Sequence, residues 1–302
     1  MPELPDVALY VERLEALFGG KVLTSVRLKS PFVVRTFEPP LSSAAGRTLR
    51  TVYRVGKRVV LELDPELHLA FHLMIAGRFH LKKPGAAPGK LGLVALDFPD
   101  ATVLVTEASS KKRASLHVLR TRAEALALGR GGIEPLDATL AEFSTALSLE
   151  NRTLKRALTD PRLVSGIGNA YSDEILFRAR LSPMKRTADL APAETSRLYE
   201  ATRAVLTEWL ARLREQTGEG FPEKVTAFRP EMDVHGRYRE PCRVCGAPIQ
   251  RIAYAENEAN YCARCQTGGR LLADRALSRL LRGDWPKTLE ELEESRSARS
   301  RE

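Results

Sequence analysis

The residues best placed for covalent chemistry are the first three, Met1-Pro2-Glu3. Pro2 is small enough for initiator methionine removal, which would expose a secondary amine. An α-amino group titrates near ~8, so an appreciable fraction is neutral and nucleophilic near neutral pH. A secondary amine attacking a sugar C1′ gives an iminium without first losing a second N–H. Glu3 beside it can pass a proton to the sugar ring oxygen or to a departing base. Taken alone, the pair reads as an ordinary helix start, where proline is tolerated and an acid is favoured.

Three further groups carry chemistry. Cys242, Cys245, Cys262 and Cys265 form C-x2-C, a gap of 16 residues, then C-x2-C. In a cytosolic chain this spacing reads as metal rather than disulfide. Four thiolates suit tetrahedral Zn²⁺ and leave no open ligand position, so one structural zinc is expected. It would hold a β-hairpin over roughly Ile249–Tyr261. Next, Gly166-Ile167-Gly168-Asn169 joins two helical stretches. Its glycines allow close backbone approach, and amides at the next helix start can hold a phosphate. Asn169 can cap that helix and also donate to a phosphate oxygen. As a bare pattern it is a turn. Last, Lys57 sits in Arg54-Val55-Gly56-Lys57-Arg58, by itself a solvated basic turn.

Elements must position these groups. At 302 residues and 33.5 kDa, the chain has room for two or three domains. Its 43% hydrophobic and 28% charged content is that of an ordinary globular protein. No apolar run nears the ~20 residues a membrane span needs, and the opening lacks a secretion-signal layout. A cytoplasmic location, at the nucleoid, and no membrane partner are therefore expected. With 47 Lys plus Arg against 38 Asp plus Glu, the net charge of +9 suits a polyanion.

Apolar spacing predicts a helix over Asp6–Phe18, stopped by Gly19 and Gly20. From Lys21 to about Leu119 come short β-type runs, among them Val22–Leu28, Thr51–Tyr53, Val59–Leu63, His68–Met74, Leu91–Phe98 and Thr102–Thr106. They predict a β-sandwich or flattened barrel. Helices are predicted over Thr139–Leu147, Arg152–Thr159, Ala170–Ala179 and Pro192–Leu213. An irregular linker follows over Glu215–Arg239. Past the cysteines, a helical tail is predicted over Leu271–Leu281 and Thr288–Glu294, with Leu272, Ala276, Leu277, Leu280 and Leu281 as its docking face.

The opening Met-Pro-Glu-Leu-Pro resembles that of the formamidopyrimidine-DNA glycosylase / endonuclease VIII family. The likeness runs from Pro2 to about Gln266. It takes in Gly56-Lys57, His72-Leu73 followed by Gly77, Gly132-Ile133-Glu134-Pro135-Leu136, the Gly166–Asn169 segment with Lys155 and Glu174, and the cysteine module. The order and spacing of these pieces together are specific.

The resemblance implies an α+β fold with an N-terminal helix and β-sandwich catalytic domain (1–130). A helix–two-turns–helix DNA-binding domain (131–234), a four-cysteine zinc-finger β-hairpin (235–268) and a helical C-terminal extension (269–302) follow. It implies a monomeric bifunctional glycosylase and abasic-site lyase of base-excision repair. Its partner would be double-stranded DNA carrying damaged bases or abasic sites. Pro2 would be the nucleophile, Glu3 the general acid, and Lys57 a phosphate contact and proton donor in strand cleavage by elimination. His72, Ile75, Lys111, Lys112, Arg113, Lys155, Gly168, Asn169 and Asn257 fall where the family binds DNA. Oxidised or ring-opened purines are its default substrates, with oxidised pyrimidines next.

The match also breaks. Asn257, between Glu256 and Glu258, stands where the family's hairpin has a phosphate-gripping arginine linked to δ-elimination. Ile75, beside Met74, replaces the methionine that fills the gap left by the flipped base. Lys111-Lys112-Arg113 replaces an Arg-Phe wedge and is equally a solvated basic loop. The family's acids after Pro5 become Asp6 and Ala8, and Glu215–Val234 shows no clear lesion-capping loop. These departures leave the lesion open, bulky adducts and crosslinks included. A different class, a non-catalytic zinc protein that binds damaged DNA, would have no use for Pro2, Glu3 and Lys57 together.

Overall fold

The computed structural model describes residues 1–254, 257–272, 286–292 and 294, without the side chains of Tyr254 and Asn257. By its internal contacts the chain divides into two units. One is Met1–Gly131 with Thr207–Ala227; the other is Gly132–Leu206 with Phe228–Glu302.

The first unit opens with α1 (Leu4–Phe18), which starts at Glu3. Asp6 at its third position accepts the Glu3 backbone N–H at 3.0 Å, closing the first turn. The helical spacing turns Val7, Tyr10, Leu14 and Phe18 into the core. Nine strands follow: β1 (Val22–Leu23), β2 (Ser25–Leu28), β3 (Arg47–Val55), β4 (Arg58–Asp64), β5 (Leu67–His72), β6 (Gly77–Lys82), β7 (Gly92–Asp97), β8 (Thr102–Glu107) and β9 (Ser115–Leu119). They make two antiparallel sheets, ordered β1-β3-β4-β5-β9 and β2-β7-β8-β6. One apolar cluster draws on both sheets and α1, so the predicted β-sandwich is what forms.

The run read as a single strand over Val22–Leu28 is two strands in different sheets. Thr24 breaks it: its amide and its hydroxyl both donate to the Asp97 carbonyl at 2.8 Å. Two strands that the pattern did not single out, β6 and β9, complete the sheets, although Leu116 and Val118 alternate inward as a half-buried strand should. Helix α2 (Arg122–Ala127) was also unforeseen. Its Thr121-x-x-Glu124 start is a capping box, and that signal was present in the sequence.

The second unit holds α3 (Leu140–Ser148), α4 (Leu154–Thr159), α5 (Asn169–Arg178), the first part of α6 (Pro192–Thr217), the hairpin β10 (Ile249–Tyr254) with β11 (Asn257–Cys262), and α7 (Ala263–Thr267). Helix α4 starts two residues later than predicted. Arg152 is held out of it by backbone pairing with Thr187 (Thr187 N to Arg152 O, 2.8 Å), and extended Thr153 takes the cap position. The cysteine module has its own core, including Ile249, Ile252, Tyr261, Leu271, Leu272 and Leu289. Leu271 and Leu272 are not helical, residues 289–292 are, and the rest of the predicted Leu271–Leu281 helix lies outside the described residues. Among the described residues, no helix is long and apolar enough to cross a membrane.

Candidate active site and metal centre

Pro2 and Glu3 are both buried at the start of α1, Glu3 only 2% exposed. Burial holds the N-terminal ammonium, here that of Met1, below its usual value. The positive charges of Arg78 and Lys57 act the same way, while Glu3 and Asp6 oppose them. An amine at this place loses its proton more readily, as a nucleophile must. Lys57 is brought here by a two-residue turn joining β3 to β4, in which Val55 pairs with Arg58. Gly56 adopts φ +59°, which tight hairpin turns require and a side chain resists. Burial pushes the Lys57 ammonium below the ordinary lysine range, and the Glu3 carboxylate partly offsets this. An acid and a lysine whose charges interact thus flank the chain start.

His72 ends β5. Burial, then the charges of Arg58, Lys57 and His117, bring its imidazole down to about 4. A neutral ring suits the hydrogen bond seen, in which the Met74 amide donates to His72 Nδ1 at 3.1 Å. In the unfolded chain this histidine would take a proton near ~6.5, so stability should fall as pH drops from there towards 4. His72→Gln is expected to make that fall shallower, read as urea midpoints at about pH 7 and about pH 4.5. Equal steepness in both chains would show that the ring is not held neutral.

Beyond His72 the chain turns through Met74, at φ +52°, into β6, with Ile75 at the turn 57% exposed. Gly77 closes the turn. A Cβ there would lie 2.2 Å from the Leu73 carbonyl oxygen, so no side chain fits. Arg78, a residue the sequence reading missed, binds this turn from within: it donates to the carbonyls of Ile75 (3.1 Å) and Val225 (2.5 Å). The segment after α6, read as linker, is irregular but well anchored. Phe221 and Val225 join the core, and Glu223 accepts from the Leu81 amide at 3.1 Å. Lys111, Lys112 and Arg113 are exposed between β8 and β9. Buried Glu107 shapes their loop, its carboxylate accepting the amides of Arg113 (3.0 Å) and Ala114 (3.2 Å).

In the second unit the Gly166–Asn169 turn is positioned by the segment at 132–136. Ile133 N donates to Leu163 O at 3.0 Å, Ser165 N to Ile133 O at 2.8 Å, and Ser165 Oγ to Glu134 at 2.6 Å. Gly132 must be glycine, since a Cβ would meet the Pro161 carbonyl at 2.6 Å. Gly168 precedes α5 and is buried; Asn169 is its first residue and half-buried. Lys155, expected at DNA, is only 7% exposed. Its ammonium donates to the Asn169 carbonyl and the Asp173 carboxylate, both at 2.6 Å. Asp173 also meets His235 Nδ1 at 2.8 Å, and buried Glu174 accepts the amides of Asp233, Val234 and His235 at 2.8–2.9 Å. Burial raises the Glu174 carboxyl, against those three hydrogen bonds. Asp173 and His235 went unnoticed in the sequence, because their meaning lies in a contact 62 residues apart.

The four cysteine sulfurs all lie within 4.8 Å of one another, with Cys242–Cys265 at 4.0 Å and Cys245–Cys262 at 3.4 Å. A tetrahedron with Zn–S near ~2.3 Å has edges of about 3.8 Å, so the cluster fits one Zn²⁺. Asn257 opens β11 opposite Tyr254, and its side chain lies outside the described part of the residue.

Three family models match the chain in order: the formamidopyrimidine-DNA glycosylase N-terminal domain over residues 1–112, the H2TH domain of the same enzymes over 132–218, and a zinc finger found in FPG and IleRS over 239–268. The formamidopyrimidine-DNA glycosylase of Listeria innocua is 30% identical over 274 residues, covering 88% of this chain and all of that protein. The chain belongs to the formamidopyrimidine-DNA glycosylase family. The enzyme of that name from Heliobacterium modesticaldum is 33% identical over 281 residues, again spanning 88% of this chain and 100% of the relative. Among solved structures, Lactococcus lactis Fpg in complex with abasic-site DNA has a TM-score of 0.77 at 25% identity, covering 88% of this chain and 99% of that one. The same protein with Fapy-dG DNA also gives 0.77 at 25%, covering 88% and 100%. The family's parts therefore sit on this chain as one N-terminal sandwich, one H2TH region and one structural zinc finger, with its relatives being DNA glycosylases.

Proposed function

We propose that this protein excises damaged bases from duplex DNA and then nicks the strand at the resulting abasic site. The Pro2 nitrogen, freed by loss of Met1, bonds to C1′ of a flipped-out nucleotide as the C1′–base bond breaks, and the base leaves with a proton. Opening of the C1′–O4′ bond, with Glu3 protonating O4′, yields the Schiff base. Loss of a C2′ proton then expels the 3′ phosphate by β-elimination, with Lys57 moving protons. What supports this reading above all is that the charges of Glu3 and Lys57 both act on the buried chain start and on each other. Ile75 is the side chain that fills the vacated stack, and its exposure at a turn braced by Arg78 suits that task. Lys111, Lys112 and Arg113 serve the opposite strand, and Gly168 with Asn169 a phosphate of the lesion strand. Lys155 acts through Asn169, whose carbonyl it holds.

The test is a panel of single-lesion duplexes, including oxidised purines, ring-opened purines and oxidised pyrimidines, resolved on denaturing gels. Excision of at least one base with strand nicking is expected; tight binding with every duplex returned intact would leave a damaged-DNA binder. Because Asn257 stands in the place of the family's arginine, β-elimination product should exceed δ-product. Asn257→Arg is expected to shift the ratio towards δ. Dominant δ-product from the unaltered chain would refute the role given to this position.

A further inference from the structure

A group of cations on the five-stranded sheet is left over from this mechanism. The register pairs Arg58 of β4 with His72 of β5, His72 with Ser115 of β9, and Ala70 with His117. Strand alternation then places Arg58, Val60, Ala70, His72, Ser115 and His117 on one face. Val60 and Ala70 are covered there, in a small cluster with Ala125 of α2. The end of the face nearer the Lys57 turn is polar. Arg35 reaches it because residues 34–36 run beside β9, with Arg35 N donating to Leu116 O at 2.8 Å.

Two polar nitrogens on this face, Arg58 Nε and His117 Nδ1, are buried without a hydrogen-bond partner. Among the described residues, none of Arg35, Arg58, His117 and Arg130 has a carboxylate partner. Burial lowers the Arg58 guanidinium and the His117 imidazole below their usual values. Nearby cations add to this, Arg130 for Arg58, and Arg58 with Arg35 for His117. Buried Lys155, by contrast, meets the Asp173 carboxylate at 2.6 Å. Buried polar groups that no protein atom meets are met by water or by an ion. A guanidinium fork beside an imidazole and two exposed arginines matches a tetrahedral oxyanion that can accept several N–H groups at once.

We propose that Arg58 and His117, rimmed by Arg35 and Arg130, form an anion subsite that takes a phosphate group. The phosphate comes from the DNA backbone or from a free phosphate compound, and the chemistry of recognition is the same for both. The subsite is independent of base excision, so its test uses no turnover.

The zinc-loaded full chain would be titrated with inorganic pyrophosphate while the His117 ring is followed by NMR. The ring signals should move, and Arg58→Gln should abolish the movement while Arg58→Lys keeps part of it. In the second arm, affinity for an abasic-analogue duplex is measured against salt. A slope smaller by about one phosphate contact in Arg58→Gln and in His117→Gln identifies the DNA backbone as the source. An unchanged slope with pyrophosphate binding intact identifies a free phosphate compound instead. If Arg58→Gln fails to fold, shown by lost zinc and altered circular dichroism, exposed Arg130→Gln supplies the reading. No ring movement with pyrophosphate and no change of slope in either variant overturns the proposal.

Discussion

Mixed with abasic-site duplex and borohydride, the chain freed of Met1 is expected to end up covalently attached to DNA. Retention of Met1 ties the Pro2 nitrogen into an amide and leaves only a displaced primary amine, so that form should trap weakly, and acetylation of the exposed amine should abolish trapping. Pro2→Gly keeps an amine but gives a primary one on a chain start without the ring's fixed geometry, and should trap weakly. Glu3→Gln probes the other half of the reaction. Loss of a general acid typically costs about 10²–10⁴-fold, and base release should fall on that scale while duplex affinity is kept. Glu3 is nearly fully buried, but glutamine fits the same volume. A Met1-retaining chain that traps as well as the processed one would end the assignment of Pro2, and undiminished excision by Glu3→Gln would end that of Glu3.

The second large effect concerns the zinc module. Strong chelation should release about one zinc per chain and abolish DNA binding. The sulfur cluster is part of a small core that includes Ile249, Ile252, Tyr261 and Leu272, so the ligands and the packing stand or fall together. Apparent zinc affinities for such Cys-based modules, about 10–16 kcal/mol at neutral pH, exceed what a core of this size supplies by itself. Cys262→Ser is the sharpest single change, because Cys262 is fully buried and pairs through the hairpin with Ile249. Loss of zinc measured by a metal indicator, with DNA affinity unchanged, would refute a structural role.

Much of this was legible in the residues. The first helix, the paired cysteines and the glycine turn before α5 all rest on local rules, namely periodicity, spacing and backbone freedom, and each forms close to where it was read, the helix starting two residues early at Leu4. Val22–Leu28 misled because its split depends on Asp97, a partner 73 residues away. Arg78 and Asp173 were invisible for the same reason: a guanidinium serving carbonyls at 75 and 225, or a carboxylate between Lys155 and His235, has no signature in sequence spacing. Lys155 taught the converse. The resemblance placed it at DNA, and its burial directs the charge to the Asp173 carboxylate and the Asn169 carbonyl.

Glu174 grips Asp233, Val234 and His235 only by their backbone amides. Every residue type except proline offers that group, so the attachment imposes almost nothing on which side chains occupy 233 and 234. Position 233 can therefore be rewritten at little cost to the attachment, provided proline is never inserted and the number of residues is kept, whereas Val234 is fixed separately by its full burial in the core of the cysteine module. Lengthening this stretch by a single residue should be more damaging than replacing the Asp233 side chain.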